Sequence, residues 1–511
     1  MVQAFTATGA RSLNGRLLGS SQGGAVTEIS RETPPVVEEY SEDIPSKHLP
    51  PARFRDLPEP LKLGAMIGPG VVLAASGIGS GEFVLWPNIG ARAGLDFLWA
   101  ALIGAAFMFF IATEAVRYTL ATGETIITGF ARLWKGWTIG FVLMALLPNL
   151  FPGYATGVAL IAEFIFGDLN EVAVTIAMLV VIVALLVLSP VVYTMMERAQ
   201  KAMVAMMAAF LALAVVLITV LDASVWLDMF GGFASTGSIP PEDVVDLPAF
   251  AGAIAFAGAG GTAVLLISNY VRDKNLGMGA RIPRIVSPIT GQEEAGENIG
   301  YMFKPTEENM RRWRGWWSVT NREQLLTFFL FTVLSIFIMS ALAYATLGGA
   351  DVPEGFGFIE AEATVLRSEF GGFVAILFLV TGMVALFSTN LAVWDMIGRI
   401  SADQLKVGFL RESRIWSESR IYAFTLVLLL IFSILVLLSG LQAPLVLLVI
   451  VSFLSGVTSF VYSVLIVQLN RRTLPKYVRM GTPRTIVMGL AVLFYGFFFI
   501  LTMIQIIADY L

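Results

Sequence analysis

Eleven long apolar segments constrain this chain more than any other feature of its sequence. Each runs for about 20 residues or more, the length that a helix needs to cross a hydrocarbon core of about 30 Å. Because lipid offers the backbone no hydrogen-bond partners, such segments must be helical. The sequence therefore predicts an all-α, multi-pass membrane protein with about 11 transmembrane helices. The predicted spans, numbered helices 1 to 11 in chain order, are Leu61–Ala91, Leu95–Tyr118, Thr138–Phe166, Val172–Tyr193, Ala199–Leu221, Pro248–Tyr270, Leu325–Leu347, Gly371–Trp394, Ile421–Ser439, Ala443–Gln468 and Thr485–Ala508.

The basic residues are sorted between the loops of this predicted topology. Of the 33 Lys and Arg residues, only Arg92 and Arg367 fall in loops on one side of the membrane. Positive charge accumulates on the cytoplasmic side of membrane proteins. The pattern therefore predicts a protein of the cell membrane whose N-terminus is cytoplasmic and whose C-terminus lies on the outer side.

Two polar stretches interrupt the apolar pattern. Residues 1–58 are rich in Ser, Thr, Gly, Pro and Glu, and they are predicted to form a disordered cytoplasmic tail. Residues 59–511 form the membrane domain, in which residues 271–324 are a long cytoplasmic loop between helices 6 and 7. That loop contains Arg311-Arg312-Trp313-Arg314-Gly315-Trp316-Trp317, a mixture of guanidinium and indole groups that favours packing at the lipid headgroups.

The composition also excludes several functional classes. There is no cysteine, and the single histidine, His48, lies in the polar tail. Thiolate metal sites, cysteine nucleophiles and histidine metal cages are therefore not expected, and the sequence has no HExxH motif. The net charge of −5 argues against a nucleic-acid partner. The chain is predicted to be neither an enzyme nor a cofactor-binding protein.

Glycine clusters mark two of the predicted helices. Helix 1 contains Gly77-Ile78-Gly79-Ser80-Gly81-Glu82, and helix 6 contains Gly258-Ala259-Gly260-Gly261-Thr262. Glycine weakens a helix by up to about 1 kcal/mol per residue and frees backbone groups that need partners inside the protein. The two clusters stand five helices apart, as in transporters built from inverted repeats, whose broken helices surround the substrate. Close packing of helices through small residues is the alternative interpretation.

Over roughly residues 60–507 the chain resembles the Nramp divalent-metal transporters, which have a LeuT-type fold. The similarity includes Gly68-Pro69-Gly70 near the start of helix 1 and Gly94-Leu95-Asp96-Phe97-Leu98-Trp99 at the start of helix 2. The resemblance implies a transporter domain with a five-plus-five inverted repeat, unwound helices 1 and 6, and secondary-active transport of a metal ion by alternating access.

The sequence departs from that family at the substrate site. The helix 1 signature Asp-Pro-Gly-Asn is replaced by Gly79-Ser80-Gly81-Glu82, and the helix 6 signature Met-Pro-His-Asn by Gly260-Gly261-Thr262-Ala263. The chain therefore resembles a divergent branch with a rebuilt site. The residues predicted to bind substrate are Gly79, Ser80, Gly81, Glu82, Gly258, Gly260, Gly261 and Thr262.

Two interpretations of this site remain open. In the first, Glu82, the Gly79 carbonyl and the Thr262 hydroxyl bind a divalent cation, and an all-oxygen site favours a hard ion such as Mg²⁺ or Mn²⁺. In the second, the site binds a small organic solute such as an amino acid, whose carboxylate meets exposed amides at the Gly79-Ser80-Gly81 turn. The coupling ion is H⁺, carried by Glu82, or Na⁺, bound near Ser388 and Thr389 on helix 8. A receptor that has lost transport is a third possibility.

Overall fold

Helices account for nearly all of the architecture. The computed structural model describes residues 39–189, 191–282, 300–348, 351–440 and 444–510. Within those residues, ten helices are long and apolar enough to cross a membrane. They correspond to helices 1–5 and 7–11 and have the bounds Pro69–Ala93, Leu98–Thr122, Trp137–Phe166, Glu171–Leu188, Val192–Leu221, Glu307–Leu347, Gly372–Gly408, Glu418–Leu438, Val451–Thr473 and Thr482–Gln505.

Helix 6 is the predicted span that is absent from these ten, because its helical segments are short. It consists of two short α-helices separated by non-helical residues 256–260 and a 3₁₀ turn. Gly258 and Gly261 have φ angles of +104° and +58°, in the left-handed region that glycine adopts without strain. The predicted break is therefore present, and the count of eleven spans stays a prediction. The segments of helix 6 are Leu247–Ala255, Gly261–Leu266 and Ile267–Asp273.

Helix 1 differs from its prediction, because it does not unwind. An α-helical segment, Pro69–Gly77, continues into a π-helical segment, Ile78–Leu85, and then into a second α-helical segment, Trp86–Ala93. A π-helix pairs backbone groups five residues apart, so the helix widens while its backbone stays hydrogen-bonded. The glycine cluster thus changes the pitch of helix 1 and leaves it continuous.

Two other spans depart from their predicted bounds. Helix 3 is kinked between Trp137–Leu146 and Gly153–Phe166 by a 3₁₀ turn at Pro148–Leu150. Proline removes a backbone donor and clashes with the preceding turn, which explains the kink. Helix 8 extends to Gly408, well beyond the predicted end at Trp394.

Part of the predicted tail packs against the membrane domain. Ile44, Ala52 and Leu57 are buried, and Arg53–Phe54 pairs in parallel with Tyr301–Met302. The disordered tail predicted up to residue 58 therefore does not extend over residues 39–58, whereas residues 1–38 lie outside the described part of the chain. Apolar side chains in this polar stretch supply the packing.

The predicted loop 271–324 is helical over its last third. Glu307–Gln324 forms a helix that continues into helix 7, while residues 283–299 lie outside the described part. The Trp316 indole donates to the Pro58 carbonyl at 2.8 Å, so this tryptophan packs on the N-terminal segment. The remaining helical elements, all outside the long spans, are Leu63–Met66, Ile126–Leu133, Val225–Gly231, Gly232–Ser235, Gly277–Arg281 and Gly357–Phe370.

Candidate functional site

The π-helical part of helix 1 lies directly against the break in helix 6. A Cβ atom added to Gly77 would lie 2.0 Å from the Gly258 carbonyl oxygen, and one added to Gly81 would lie 2.0 Å from that of Phe256. No side chain fits between the two backbones at these points, so both positions need glycine. The glycines predicted as a site thus bring the carbonyls of the helix 6 break onto helix 1.

Glu82 follows this contact and is fully buried. Its Oε2 atom accepts a hydrogen bond from the Ser335 hydroxyl of helix 7 at 2.8 Å. Its Oε1 atom has no hydrogen-bond partner among the described residues. A buried carboxylate oxygen without a partner is costly, which marks this atom as a position for a ligand or a proton.

Helix 7 joins Glu82 to the helix 6 break. Thr332 lies one turn before Ser335, and its methyl group lies 3.6 Å from the position of a Cβ on Gly258. The two hydroxyl residues therefore lie between the carboxylate and the freed carbonyls. A small cavity beside Glu82 is also lined by Phe83, Ser335, Thr381, Met207 and Met339.

Gly79 and Thr262 face a different neighbour, helix 8. The Gly79 amide donates to the Thr389 hydroxyl at 2.8 Å, and the Thr262 hydroxyl donates to the Met396 sulfur at 3.2 Å. Thr389 and Met396 are two turns apart, about 10 Å along the helix. The Gly79 amide and the Thr262 hydroxyl thus bond to helix 8, whereas the Glu82 carboxylate bonds to helix 7.

The other predicted residues have structural partners. The Ser80 hydroxyl donates to the Gly77 carbonyl of its own helix at 3.4 Å. A Cβ on Gly260 would meet the Phe256 ring at 1.9 Å, and one on Gly261 the Ser455 hydroxyl at 2.7 Å. These two glycines therefore permit the tight fold of the break.

A cluster of oxygen atoms lies at the start of the π-helical segment. The Ala75 carbonyl accepts hydrogen bonds from Thr389 at 3.2 Å and from Ser388 at 3.5 Å. Gln200 of helix 5 bonds to Ser388 twice, because its amide nitrogen donates to the Ser388 carbonyl at 2.9 Å and its amide oxygen accepts from the hydroxyl. Helices 1, 5 and 8 thus meet through neutral oxygens.

Conventional metal centres are not found in the described part of the chain, which contains no group of three or more His, Cys, Asp or Glu residues placed to hold a metal. A cation bound beside Glu82 would therefore be bound largely by hydroxyl and carbonyl oxygens.

Sequence reasoning missed Ser335, Gln200 and Met396. Each is a polar or polarisable side chain in a largely apolar helix, and no motif marks it. Asp395 follows the predicted end of helix 8 at Trp394, yet it is buried and pairs with Arg399 at 2.8 Å, because helix 8 is longer than predicted.

In the part of the chain that the structure describes, ten spans, a glycine-broken helix and a buried carboxylate beside the break define a multi-pass membrane protein of the LeuT-type fold. The chain belongs to the Nramp family, because the sequence model of the natural resistance-associated macrophage protein-like family matches residues 70–505. Family members are transporters, so this protein is a transporter rather than an enzyme.

Solved structures support the fold. Two variant structures of the Eremococcus coleocola manganese transporter are similar at 11% and 12% sequence identity, with TM-scores of 0.61 and 0.62. The first similarity covers 86% of both chains, and the second covers 88% of both. A complex of the same transporter with an aromatic bis-isothiourea compound has 12% identity and a TM-score of 0.57, with 86% of both chains covered. No curated protein sequence matches the chain.

Proposed function

We propose that this transporter moves a divalent metal cation, a hard ion such as Mg²⁺ or Mn²⁺, by alternating access across the cell membrane. The observation that carries the proposal is the free Oε1 atom of Glu82, buried beside the broken helix 6. Family membership and the similarity to manganese transporters support a metal as the substrate.

The ligand set of this proposal is centred on helix 7 rather than on helix 8. Glu82 supplies the negative charge, Ser335 and Thr332 supply hydroxyl oxygens, and the carbonyls of Phe256 and Gly258 lie at the same contact between helices 1 and 6. Carboxylate, hydroxyl and carbonyl oxygens are the ligands that hard divalent ions prefer. One carboxylate neutralises half the charge of such an ion, so the ion is expected to keep part of its hydration shell.

Thioether sulfur is also present near Glu82. Met207 and Met339 line the same cavity, and sulfur ligands favour softer ions. Cd²⁺ is therefore the probe that separates a hard site from a mixed one. Uptake of Mg²⁺ and Mn²⁺ in preference to Cd²⁺ supports the oxygen set, and preference for Cd²⁺ assigns the methionines to the site.

The amino-acid alternative depends on unpaired amides at the Gly79-Ser80-Gly81 turn. In the structure this segment lies inside a π-helix, and the Gly79 amide donates to Thr389. A helix interior offers no free donors to a carboxylate, in contrast to a helix N-terminus. The geometry therefore supports the cation over the organic solute.

A coupling ion is part of the proposal. Protonation of Glu82 would compete with the metal for Oε1, whereas Na⁺ would bind at the oxygens of Ala75, Ser388 and Thr389. A proton gradient drives uptake in the first case, and Ser388→Ala leaves uptake unchanged. In the second case uptake requires Na⁺, and Ser388→Ala abolishes that requirement.

The experiment is a flux assay with purified protein in liposomes, supplied in turn with Mg²⁺, Mn²⁺, Ca²⁺, Cd²⁺ and an amino-acid panel. The proposal predicts saturable uptake of Mg²⁺ or Mn²⁺ and none of the amino acids. Amino-acid uptake without metal flux would contradict the proposal and identify a small organic solute as the substrate. Binding without flux under any gradient would favour a receptor.

A further inference from the structure

The connection between helices 8 and 9, residues 409–417, folds around the side chain of Lys406, which lies in the last turn of helix 8. The Lys406 ammonium group donates to the carbonyls of Leu410, Ser413 and Trp416 at 3.1, 2.8 and 3.0 Å. These carbonyls are neutral, so they leave the positive charge of Lys406 uncompensated while they hold the loop in place.

Guanidinium groups lie in and beside the same connection. Arg420 donates to the Ile415 carbonyl at 2.8 Å, which again leaves its charge uncompensated. Arg411 and Arg414 are exposed, and in the described structure neither makes a hydrogen bond or an ion pair. The one acidic residue of the segment, Glu412, is also exposed. Over residues 406–420 the four cations outnumber the two acidic residues, Glu412 and Glu418.

Exposed apolar side chains accompany these cations. Ile415 is 71% exposed and Phe409 is 51% exposed, and the Trp416 ring meets the Phe424 ring edge-on at 5.6 Å. Phe424 begins the exposed apolar face of helix 9. An exposed apolar face on a spanning helix is expected to meet lipid tails, which would place Trp416 where the tails meet the headgroups, the depth that tryptophan prefers.

The connection between helices 2 and 3 adds to this surface. Trp134 is 59% exposed, and the Lys135 ammonium nitrogen lies 5.1 Å from the centroid of the Phe409 ring. Residues 134–135 and 409–416 therefore form one basic-aromatic patch at the end of the helices that the charge pattern assigns to the cytoplasm.

We propose that the basic-aromatic patch binds the headgroup of an anionic phospholipid. Arg411 and Arg414 bind the phosphate, since guanidinium groups match its geometry with paired hydrogen bonds. Trp416 and Ile415 pack on the glycerol region, and the acyl chains lie along Phe424 on helix 9. The apolar surface continues directly from the cations, which favours a lipid over a soluble phosphate. The proposal does not depend on which solute the protein transports.

Native mass spectrometry of the detergent-solubilised full chain tests this site. The protein is titrated with phosphatidylglycerol, with phosphatidylcholine and with glycerol phosphate, as wild type, as Arg411→Gln/Arg414→Gln and as Trp416→Ala. The matched control is Arg471→Gln/Arg472→Gln, which removes two adjacent exposed arginines at the end of helix 10. All four proteins are checked for the same helicity and elution volume.

The expected result is retention of phosphatidylglycerol over phosphatidylcholine, with an affinity about tenfold lower in the Arg411→Gln/Arg414→Gln protein and unchanged in the control. Trp416→Ala weakens retention of the lipid to a smaller extent. Equal losses in both arginine double variants would overturn the site, because they would show a general effect of surface charge. Binding of glycerol phosphate as tight as that of the lipid would overturn the role of helix 9.

Discussion

The Glu323 carboxylate of helix 7 caps the first turn of helix 1 at Gly70. Its Oε1 atom accepts from the Gly70 amide at 2.9 Å and from the Gly68 amide at 3.2 Å, and the carboxylate is fully buried. A negative charge at a helix N-terminus meets both unpaired amides and the positive end of the helix dipole. The relationship explains Gly68-Pro69-Gly70, since a Cβ on Gly70 would lie within 3 Å of Glu323 and Gln324.

Glu323→Gln is predicted to loosen the start of helix 1, because the amide keeps an acceptor but loses the charge. Hydrogen bonds to charged groups contribute about 1.5–3 kcal/mol each. The free energy of opening the first turn of helix 1 is therefore expected to fall by about 2 kcal/mol. Hydrogen exchange at residues 68–75 measures the opening. The control is Glu307→Gln, an exposed position on the same helix, where exchange stays at the wild-type rate. Equal protection in Glu323→Gln and wild type would contradict the cap.

Gly77→Ala is predicted to separate helix 1 from helix 6. The added methyl group would overlap the Gly258 carbonyl, and overpacking costs about 1–3 kcal/mol or more where the backbone must move. Gly489→Ala in helix 11 has no atom within 4 Å of the new Cβ and is the matched control. Thermal unfolding in detergent should show a lower midpoint for Gly77→Ala and an equal or higher one for the control. An unchanged Gly77→Ala midpoint would mean that the two backbones are farther apart.

Arg399 holds together the buried ends of helices 6 and 8. It pairs with Asp395 at 2.8 Å and with Asp273, and all three side chains are inaccessible to solvent. Removing one member of a buried ion pair leaves an uncompensated charge and costs about 3–5 kcal/mol. Arg399→Met is therefore predicted to lower the unfolding midpoint strongly, and the exposed Arg322→Met is not. Asp273→Asn should partly restore the stability of Arg399→Met, and a failure to do so would contradict the pairing.

Glu362 provides a pH test outside the membrane spans. It lies in the helix Gly357–Phe370 between helices 7 and 8, and burial raises the pKa of its carboxyl well above the usual range. A carboxyl whose pKa is higher in the folded chain binds more protons when folded, so stability falls as pH rises from the unfolded value of about 4.3 through the folded pKa. Glu362→Gln should remove this fall and stabilise the protein at pH 8, whereas exposed Glu369→Gln should not. A parallel pH dependence in Glu362→Gln and wild type would contradict the prediction.

The helices were predictable because lipid imposes one solution on long apolar segments, and the break in helix 6 followed from Gly258 and Gly261. The π-helical form of helix 1 was not predictable, since the same glycines permit either a break or a widened helix. The partners of Glu82 were hidden for a different reason. Ser335 is one of several hydroxyl residues in helix 7, and only the packing of helix 7 on helix 1 brings it to the carboxylate.

The central claim is that the free oxygen of Glu82 binds the transported cation, and Glu82→Gln tests it most directly. The variant keeps the size of the side chain and an acceptor for Ser335, so the fold should persist. In liposomes the account predicts that Mg²⁺ or Mn²⁺ uptake falls by at least tenfold in Glu82→Gln, whereas Glu307→Gln transports at the wild-type rate. Metal uptake that continues unchanged in a folded Glu82→Gln protein would contradict the account.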